Sequence, residues 1–226
     1  MLIDCHVHSC PRSACSVVTA DRLCVRARER GLDALVLTEH HFQWSRAELD
    51  GLEARNPGLR LYGGVELTLT EGYDVVVVTA VPLEAPWPLS LDRLRRMLAE
   101  DRHRSFAFVA HPFRRSLRQD GPIQDILAWV DGIEMNSANV LRAGGLCDGD
   151  GLYRPCTSDL YETARREYDL APLFNSDAHQ EAAVGAVATW LEAPDLPADE
   201  AELAGLLRTA RREERQDAAL LRRLLT

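Results

Sequence analysis

Near its start the sequence carries one carboxylate and two imidazoles at alternate positions, Asp4, His6 and His8. Alternate residues of a β-strand point to the same face, so this spacing predicts that the three side chains lie together. Imidazole and carboxylate groups pack poorly in an apolar core but are good ligands for a divalent metal. Taken alone, the stretch is equally consistent with two surface histidines near a chain terminus.

Other ligand-type residues follow apolar runs that have the character of strands. They are Glu39 with His40, Glu66, His111, Glu134, and Asp177 with His179. Polar groups at the carboxyl ends of successive parallel strands form the active sites of α/β barrels. Of the seven histidines, only His103 lies clearly outside these clusters. This concentration predicts a multinuclear metal centre.

The elements that must position these residues alternate along the whole chain. The pattern predicts strands at the N-terminus and near 33–38, 61–66, 74–80, 105–110, 131–135 and 172–176. It predicts helices near 20–30, 45–55, 91–103, 122–129 and 158–169, a glycine-rich loop at 144–155, and a C-terminal helix over about 199–226. Strands that alternate with helices favour a mostly parallel sheet, and hence a single α/β barrel-like domain over residues 1–226.

Composition narrows the functional class. The chain has 226 residues, enough for one domain with a full core, and its 46% hydrophobic and 27% charged fractions are typical of globular proteins. It has no apolar run of the ~20 residues that a membrane span needs. It also has no basic region followed by an apolar core, so we expect a cytoplasmic protein with reduced cysteines. The net charge of −9 argues against binding extended nucleic acid.

The order of the ligand-type residues resembles the PHP family, named after polymerases and histidinol phosphatase. The shared elements are His6-Val-His8, Thr38-Glu39-His40, Gly64-Val65-Glu66, Ala110-His111-Pro112, Glu134-Met-Asn136 and Ser176-Asp177-Ala178-His179. Each motif is weak alone, but their order across nearly the whole chain makes the resemblance specific. It implies a distorted (β/α)7 barrel that holds two or three divalent metal ions.

The resemblance also implies a ligand set. Carried over residue by residue, it gives one metal to His6, His8, Glu66 and Asp177, a second to Glu66 and His111, and a third to His40 and His179. A carboxylate such as Glu66 is needed between two metals because close cations must be neutralised. Such mixed ligands suit Zn²⁺, Mn²⁺ or Fe without distinguishing among them. Glu66, Asp177 and His111 are the residues we expect to be catalytic.

Three positions depart from the family pattern. Glu39 stands where aspartate is usual, and it either supports the ligands or reaches a metal. Asp74 stands near the place where the family often has a histidine, and it is either a ligand or an ordinary residue at the start of a strand. In the loop after His8, Cys15 and Ser13 are candidates for a ligand of the third metal, with burial as a small apolar residue the alternative for Cys15.

Paired metals supply hydroxide near neutral pH and stabilise the oxygens of an in-line displacement at phosphorus. The protein must add positive charge for the phosphoryl oxygens, which arginine binds bidentately. Candidates are Arg12 in the loop after the first strand, and Arg114 and Arg115 after His111. The resemblance therefore implies a phosphoesterase acting on a small phosphate ester such as histidinol phosphate or a nucleotide.

Two alternatives remain open. An amidohydrolase-type metal hydrolase also begins with a His-x-His motif, although such enzymes are usually longer and often use a carboxylated lysine, and this chain has no lysine. A non-catalytic metal-binding PHP module is the other alternative. The nearly complete ligand set favours catalysis over the inert module. The sequence does not indicate the oligomeric state.

Overall fold

The computed structural model of the chain describes residues 1–83, 87–114, 117–147 and 151–226. Its strands are β1 (Leu2–Val7), β2 (Ala34–Leu37), β3 (Arg60–Thr68), β4 (Asp74–Thr79), β5 (Ser105–Ala110), β6 (Gly132–Asn136), β7 (Gly145–Cys147), β8 (Tyr153–Pro155), β9 (Ala171–Phe174), β10 (Val187–Leu191) and β11 (Arg212–Gln216). Its helices are α1 (Ala20–Glu29), α2 (Arg46–Arg55), α3 (Leu91–Leu98), α4 (Pro122–Leu127), α5 (Ala138–Gly144), α6 (Ser158–Glu167), α7 (Glu200–Thr209) and α8 (Ala218–Leu225).

In the described part of the chain, nine strands form one sheet in the order β11-β10-β1-β2-β3-β4-β5-β6-β9, and β7 pairs separately with β8. Strand β9, at one end of the sheet, approaches β10, the second strand from the other end. The Phe174 N–H of β9 donates a hydrogen bond of 2.9 Å to the Thr189 hydroxyl of β10, which in turn donates to the Phe174 carbonyl at 2.8 Å. The sheet is therefore a nearly closed barrel within a single α/β domain. The predicted fold class is confirmed, and the seven predicted strands correspond to β1 to β6 and β9.

The prediction of a mostly parallel sheet is wrong, because four of the eight pairs of neighbouring strands in the described sheet are antiparallel. The strand β4 is reversed because the link 69–73 is too short for the crossover that parallel strands require. Asp74, the first residue of β4, consequently pairs with Thr68 at the end of β3 and with Ala110 at the end of β5. A residue at the start of a strand thus lies at the edge where its neighbours end.

Apolar side chains pack on both faces of the barrel wall. One cluster joins strand residues such as Val36, Tyr62 and Phe108 to Leu203 and Leu207 of α7. Two further clusters pack the other helices against the sheet, α1, α2, α5 and α8 in one and α3, α4 and α6 in the other. Helix α7 therefore packs against the barrel strands.

The C-terminal segment differs from the single helix predicted over about 199–226. Helix α7 ends at Thr209, β11 then pairs with β10 in antiparallel orientation, and α8 follows. The sequence of β11, Arg-Glu-Glu-Arg-Gln, lacks apolar alternation, so its pairing with β10 and not its own propensity makes it a strand. Charged side chains are common on such edge strands. No helix among the described residues is long and apolar enough to cross a membrane.

Candidate metal centre

Two imidazoles and two carboxylates meet at the carboxyl end of the barrel strands. The Nε2 atoms of His6 and His8 lie 3.0 Å apart. Asp177 Oδ1 lies 3.6 Å from the first nitrogen and 3.5 Å from the second. The two carboxylate oxygens of Glu66 lie 3.4 and 3.3 Å from the same nitrogens. All four side chains are buried, and each of the two imidazole nitrogens lies within 3.6 Å of an oxygen of both carboxylates.

Glu66 joins this group to two more imidazoles. Its Oε2 lies 3.0 Å from His40 Nδ1, and its Oε1 lies 3.3 Å from His111 Nε2. Within the described residues, the buried Oε1 atom has no hydrogen-bond partner. A buried carboxylate oxygen without a donor is costly unless a cation neutralises it. Glu66 therefore has the surroundings expected of a carboxylate between cations.

Among the described residues, the potential ligand atoms form four overlapping groups. These are His6 with His8 and Glu66, His6 with His111 and Asp177, Glu66 with Asp74 and His111, and His8 with His40 and His179. In each group the ligand atoms lie within 4.8 Å of one another. Imidazole nitrogens mixed with carboxylate oxygens fit divalent transition metals. The reversed strand β4 is what brings Asp74 into one group, its Oδ2 lying 4.0 Å from His111 Nδ1.

The buried charges shift one another's pKa values. Burial opposes protonation of His8, but contacts with the Asp177 and Glu66 carboxylates raise the pKa of His8 to about 9. Burial alone would raise the pKa of Glu66, yet the neighbouring imidazoles, His6 first among them, hold it well below its ordinary value. The cluster therefore favours ionised carboxylates with positive charge beside them. Protons on the imidazoles can supply that charge, and a bound metal can replace those protons.

A buried carboxylate orients the ring of His6. Glu134 of β6 places its Oε1 2.9 Å from His6 Nδ1 and accepts a hydrogen bond of 3.0 Å from the Asn175 side chain. Its other oxygen accepts from the backbone N–H of His111 at 3.1 Å. A carboxylate that accepts from one imidazole nitrogen leaves the other free to bind a metal. Glu134 therefore directs His6 Nε2 towards Glu66 and Asp177.

Glu39 is also buried, and its carboxylate is surrounded by donors. It accepts hydrogen bonds from the Ser9 backbone N–H at 2.9 Å, the Ser13 hydroxyl at 2.5 Å and the Trp44 indole N–H at 3.1 Å. The Ser9 hydroxyl donates to it as well. Glu39 belongs to none of the four groups of ligand atoms. The geometry thus favours a supporting position for Glu39 over direct metal contact.

Two residues of the cluster have left-handed backbone conformations, with φ of 33° at His111 and 50° at Asp177. Such conformations cost a residue other than glycine about 1–3 kcal/mol and persist only when the surroundings enforce them. Asn139 of α5 holds the Asp177 segment, because its Nδ2 donates to the Asp177 carbonyl at 3.0 Å and to Asp177 Oδ2 at 2.9 Å. Strain maintained in this way is concentrated at functional sites.

The cluster lines a cavity of about 940 Å³. Arg114 lines it as well, and its Nη1 lies 3.6 Å from Asp177 Oδ2. Its side chain is only 19% exposed. Cys15 and Arg142 also line the cavity, so two arginines among the described residues border it.

Both the sequence and the fold of this chain were compared with known proteins. A family model described as PHP-associated matches residues 159–212. No curated protein matches the sequence. Among solved structures, PsfC from Pseudomonas syringae PB-5123 aligns with a TM-score of 0.68 at 22% identity, over 98% of this chain and 93% of its own. A two-domain protein from Bacteroides vulgatus, containing a predicted PHP-like metal-dependent phosphoesterase, aligns with a TM-score of 0.67 at 18% identity, over 94% of this chain and 64% of its own.

The chain has the PHP fold. The resemblance to the PHP superfamily inferred from the ordered motifs is thereby confirmed. An amidohydrolase from Chromobacterium violaceum, solved with bound sulfate and no metal, also aligns, with a TM-score of 0.51 at 16% identity over 79% of this chain and 87% of its own. This chain therefore shares much of its fold with that amidohydrolase.

Several sequence-predicted residues lie elsewhere in this PHP fold. The guanidinium of Arg12 lies 4.1 Å from the centre of the Phe42 ring and forms an ion pair of 3.0 Å with Glu48, so it does not line the cavity. Arg115 lies outside the described residues. Cys15 borders the cavity but belongs to none of the ligand groups found among the described residues.

Asp4 departs from the predicted strand pattern. The pairing of β1 with β2 is irregular between Asp4 and Val7, which interrupts the simple alternation of faces. The Asp4 carboxylate accepts hydrogen bonds from the backbone N–H groups of Ser176 at 3.0 Å and His6 at 3.3 Å. It therefore supports the two segments that carry ligands, and it is in none of the ligand groups that the described residues form.

Sequence reasoning missed two residues that act on the cluster. Asn139 contacts Asp177, and Asn175 connects Glu134 to the backbone N–H of Cys5 at 3.0 Å. Asn175 directly precedes the Ser-Asp-Ala-His motif, and this position is the feature of the sequence that could have indicated its role. No sequence feature indicated the role of Asn139, because that role depends on how α5 packs beside Asp177.

Proposed function

We propose that this chain is a metal-dependent phosphoesterase that hydrolyses a small phosphate ester, with two or three divalent ions held by the clustered histidines and carboxylates. The observation that carries the proposal is the position of Glu66, whose two oxygens lie within 3.4 Å of four imidazole nitrogens. Its buried Oε1 atom has no hydrogen-bond partner among the described residues, which supports a cation beside it. When bound, the metals would lower the pKa of a water molecule and stabilise charge on the phosphoryl oxygens.

The ligands fall into sets that share members. His6, His8, Glu66 and Asp177 would hold one ion. Glu66 and His111, with Asp74 beside them, would hold a second. His40 and His179, with His8 adjacent, would hold a third. Zn²⁺, Mn²⁺ and Fe²⁺ all suit these donors.

The remaining residues would bind and orient the substrate. Arg114 lies in the cavity beside Asp177, where its planar guanidinium can donate two parallel hydrogen bonds to a phosphoryl group. Its charge would offset the negative charge of the substrate next to the Asp177 carboxylate. A cavity of about 940 Å³ admits a nucleotide or a histidinol phosphate-sized ester, while the acidic chain disfavours an extended polyanion.

The test begins with metal removal and separate reconstitution with Zn²⁺, Mn²⁺ and Fe²⁺, followed by elemental analysis. Each form is assayed on p-nitrophenyl phosphate, nucleotides, histidinol phosphate and a set of amides. We expect at least two ions per chain and turnover of phosphate esters. Less than one ion per chain would contradict the proposal. Turnover of amides alone would favour the amidohydrolase alternative, and metal binding without any turnover would favour a non-catalytic module.

A matched pair of variants tests the role of Arg114. Arg114→Lys keeps the charge but loses the bidentate geometry, so kcat/KM should fall by roughly ten- to a hundredfold, the equivalent of about 1–3 kcal/mol for one charge-assisted hydrogen bond. The control is Arg12→Lys, because Arg12 stacks on Phe42 away from the cavity. If Arg114→Lys had the kcat/KM of the wild type, the assignment of Arg114 to the substrate site would be wrong.

A further inference from the structure

We propose that Ser13 connects the Glu39 carboxylate to the His8 ring, and that this connection fixes His8 in the form that binds a metal. Ser13 and Glu39 would thus be positioning residues for the metal centre. The inference rests on the proposed function, because it takes His8 to be a metal ligand. It goes further by assigning a task to the glutamate that stands where the PHP family usually has aspartate.

The three groups form a continuous buried path. The Ser13 hydroxyl donates to Glu39 Oε2 at 2.5 Å, and its oxygen lies 3.3 Å from His8 Nδ1. The backbone N–H of His40 also donates to the Ser13 oxygen, at 3.3 Å. Ser13 is 1% exposed, and both His8 and Glu39 are fully buried. Water therefore cannot take the place of any of these contacts without a rearrangement.

The inventory of donors sets the direction of the hydrogen bonds. The backbone N–H of Ser9 and the indole N–H of Trp44 can only donate, and both point at the Glu39 carboxylate. The carboxylate is thus an acceptor, and the Ser13 hydroxyl must donate its single proton to it. The Ser13 oxygen can then only accept from His8, which places a proton on His8 Nδ1.

The consequence for His8 concerns its other nitrogen. With a proton held on Nδ1, Nε2 carries the lone pair that a metal needs. That nitrogen already faces the cluster, 3.3 Å from Glu66 Oε2 and 3.5 Å from Asp177 Oδ1. Ser13 performs for His8 the task that Glu134 performs for His6 by direct contact. Ser13 belongs to the loop after β1 and lies between Glu39 and His8. The Glu39 carboxylate must therefore reach that loop, which a glutamate side chain, longer than that of aspartate by one methylene, achieves.

Ser9 offers a matched control. Its hydroxyl donates to the same Glu39 carboxylate, on Oε1. Within the described part of the chain, however, the Ser9 hydroxyl contacts no imidazole. Ser9→Ala and Ser13→Ala therefore each remove one hydroxyl hydrogen bond from Glu39, but only Ser13→Ala also removes the acceptor for His8 Nδ1 and for the His40 backbone N–H. A merely structural role of the Glu39 network predicts the same behaviour from both variants.

The experiment measures Zn²⁺ affinity by competition with a chromophoric chelator, together with thermal unfolding of the metal-free proteins. We expect Ser13→Ala to weaken Zn²⁺ binding by roughly 10- to 100-fold, the usual effect of losing a group that orients a ligand. Ser9→Ala should bind Zn²⁺ nearly as the wild type does while losing comparable stability. Ser13→Thr, which keeps the hydroxyl, should restore affinity and serves as the test if Ser13→Ala does not fold.

Nitrogen-15 NMR of the zinc-loaded proteins gives a second readout. A slowly exchanging proton on His8 Nδ1 should be present in the wild type and Ser9→Ala, and absent or fast-exchanging in Ser13→Ala. Equal loss of Zn²⁺ affinity in the two alanine variants, or none in either, would overturn the role of Ser13 while leaving the proposed phosphoesterase intact. Absence of Zn²⁺ binding by the wild-type chain would instead remove both proposals.

Discussion

Replacing Glu66 by glutamine tests the centre of the site most directly. Glutamine keeps the size and shape of the side chain but removes the negative charge. Glu66 is 1% exposed, and its oxygens lie 3.0–3.4 Å from nitrogens of His6, His8, His40 and His111. We expect Glu66→Gln to lose metal binding and phosphoester hydrolysis together, because the remaining cationic charge would have too few carboxylates to neutralise it.

The size of the effect follows from the geometry. At the 3.3 Å that separates His8 Nε2 from Glu66 Oε2, a pair of unit charges interacts by roughly 5 kcal/mol for an effective dielectric constant of about 20. Breaking one partner of a buried pair costs about 3–5 kcal/mol in practice. The corresponding loss in metal affinity is roughly 10²- to 10⁴-fold, and kcat/KM at limiting metal should fall by a similar factor.

The assay measures Zn²⁺ affinity and kcat/KM for the wild type, Glu66→Gln and a control, His103→Gln. His103 is exposed and lies in a short 3-10 turn before β5, at the opposite end of that strand from His111. We expect the His103 variant to retain wild-type affinity and turnover. If Glu66→Gln bound Zn²⁺ within a few-fold of the wild type, or hydrolysed phosphate esters as fast as the control, the position of Glu66 between the metals would be refuted.

Two further predictions concern stability. Because the folded-state pKa of His8 is raised from 6.5 to about 9, its proton stabilises the metal-free protein fully below pH 6.5. That contribution, up to about 3 kcal/mol, is lost as pH rises towards 9. The melting temperature of the metal-free protein should therefore fall between pH 6.5 and 8.5, while the rise in melting temperature caused by added Zn²⁺ should grow. A metal-free melting temperature that stays constant or rises over this range would contradict the prediction. Gly64→Ala should destabilise the protein by about 1–3 kcal/mol in chemical denaturation, because its new Cβ would lie 2.8 Å from Val36 Cγ1. Gly205→Ala, which meets nothing within 4 Å, should not destabilise it.

Much of the candidate site could be predicted because its residues belong to local patterns. His6 and His8, Glu66 and His111 each end or follow an apolar run, and a strand carries such residues to its carboxyl end whatever it pairs with. The alternation of strands and helices predicted the barrel for the same reason. These features depend on a few consecutive residues, and the sequence alone contains that information.

The charged strand β11 and the role of Arg12 could not be predicted in this way. The strand forms only because β10 offers an unpaired edge, and its own residues would equally suit a helix surface. Arg12 follows the first strand in a loop, as a phosphate-binding residue would. Its guanidinium is nevertheless held by Phe42 and Glu48, which are distant in sequence.

The sequence by itself determined which residue types stand at the ends of the strands, and therefore that a metal centre of histidines and carboxylates should exist. Only the tertiary structure decided which further residues reach it. Asp74 joins the cluster because the short link after β3 reverses β4. Glu39 instead binds the serines of the loop after β1. Both outcomes depend on strand direction and on contacts between distant segments, which local periodicity does not encode.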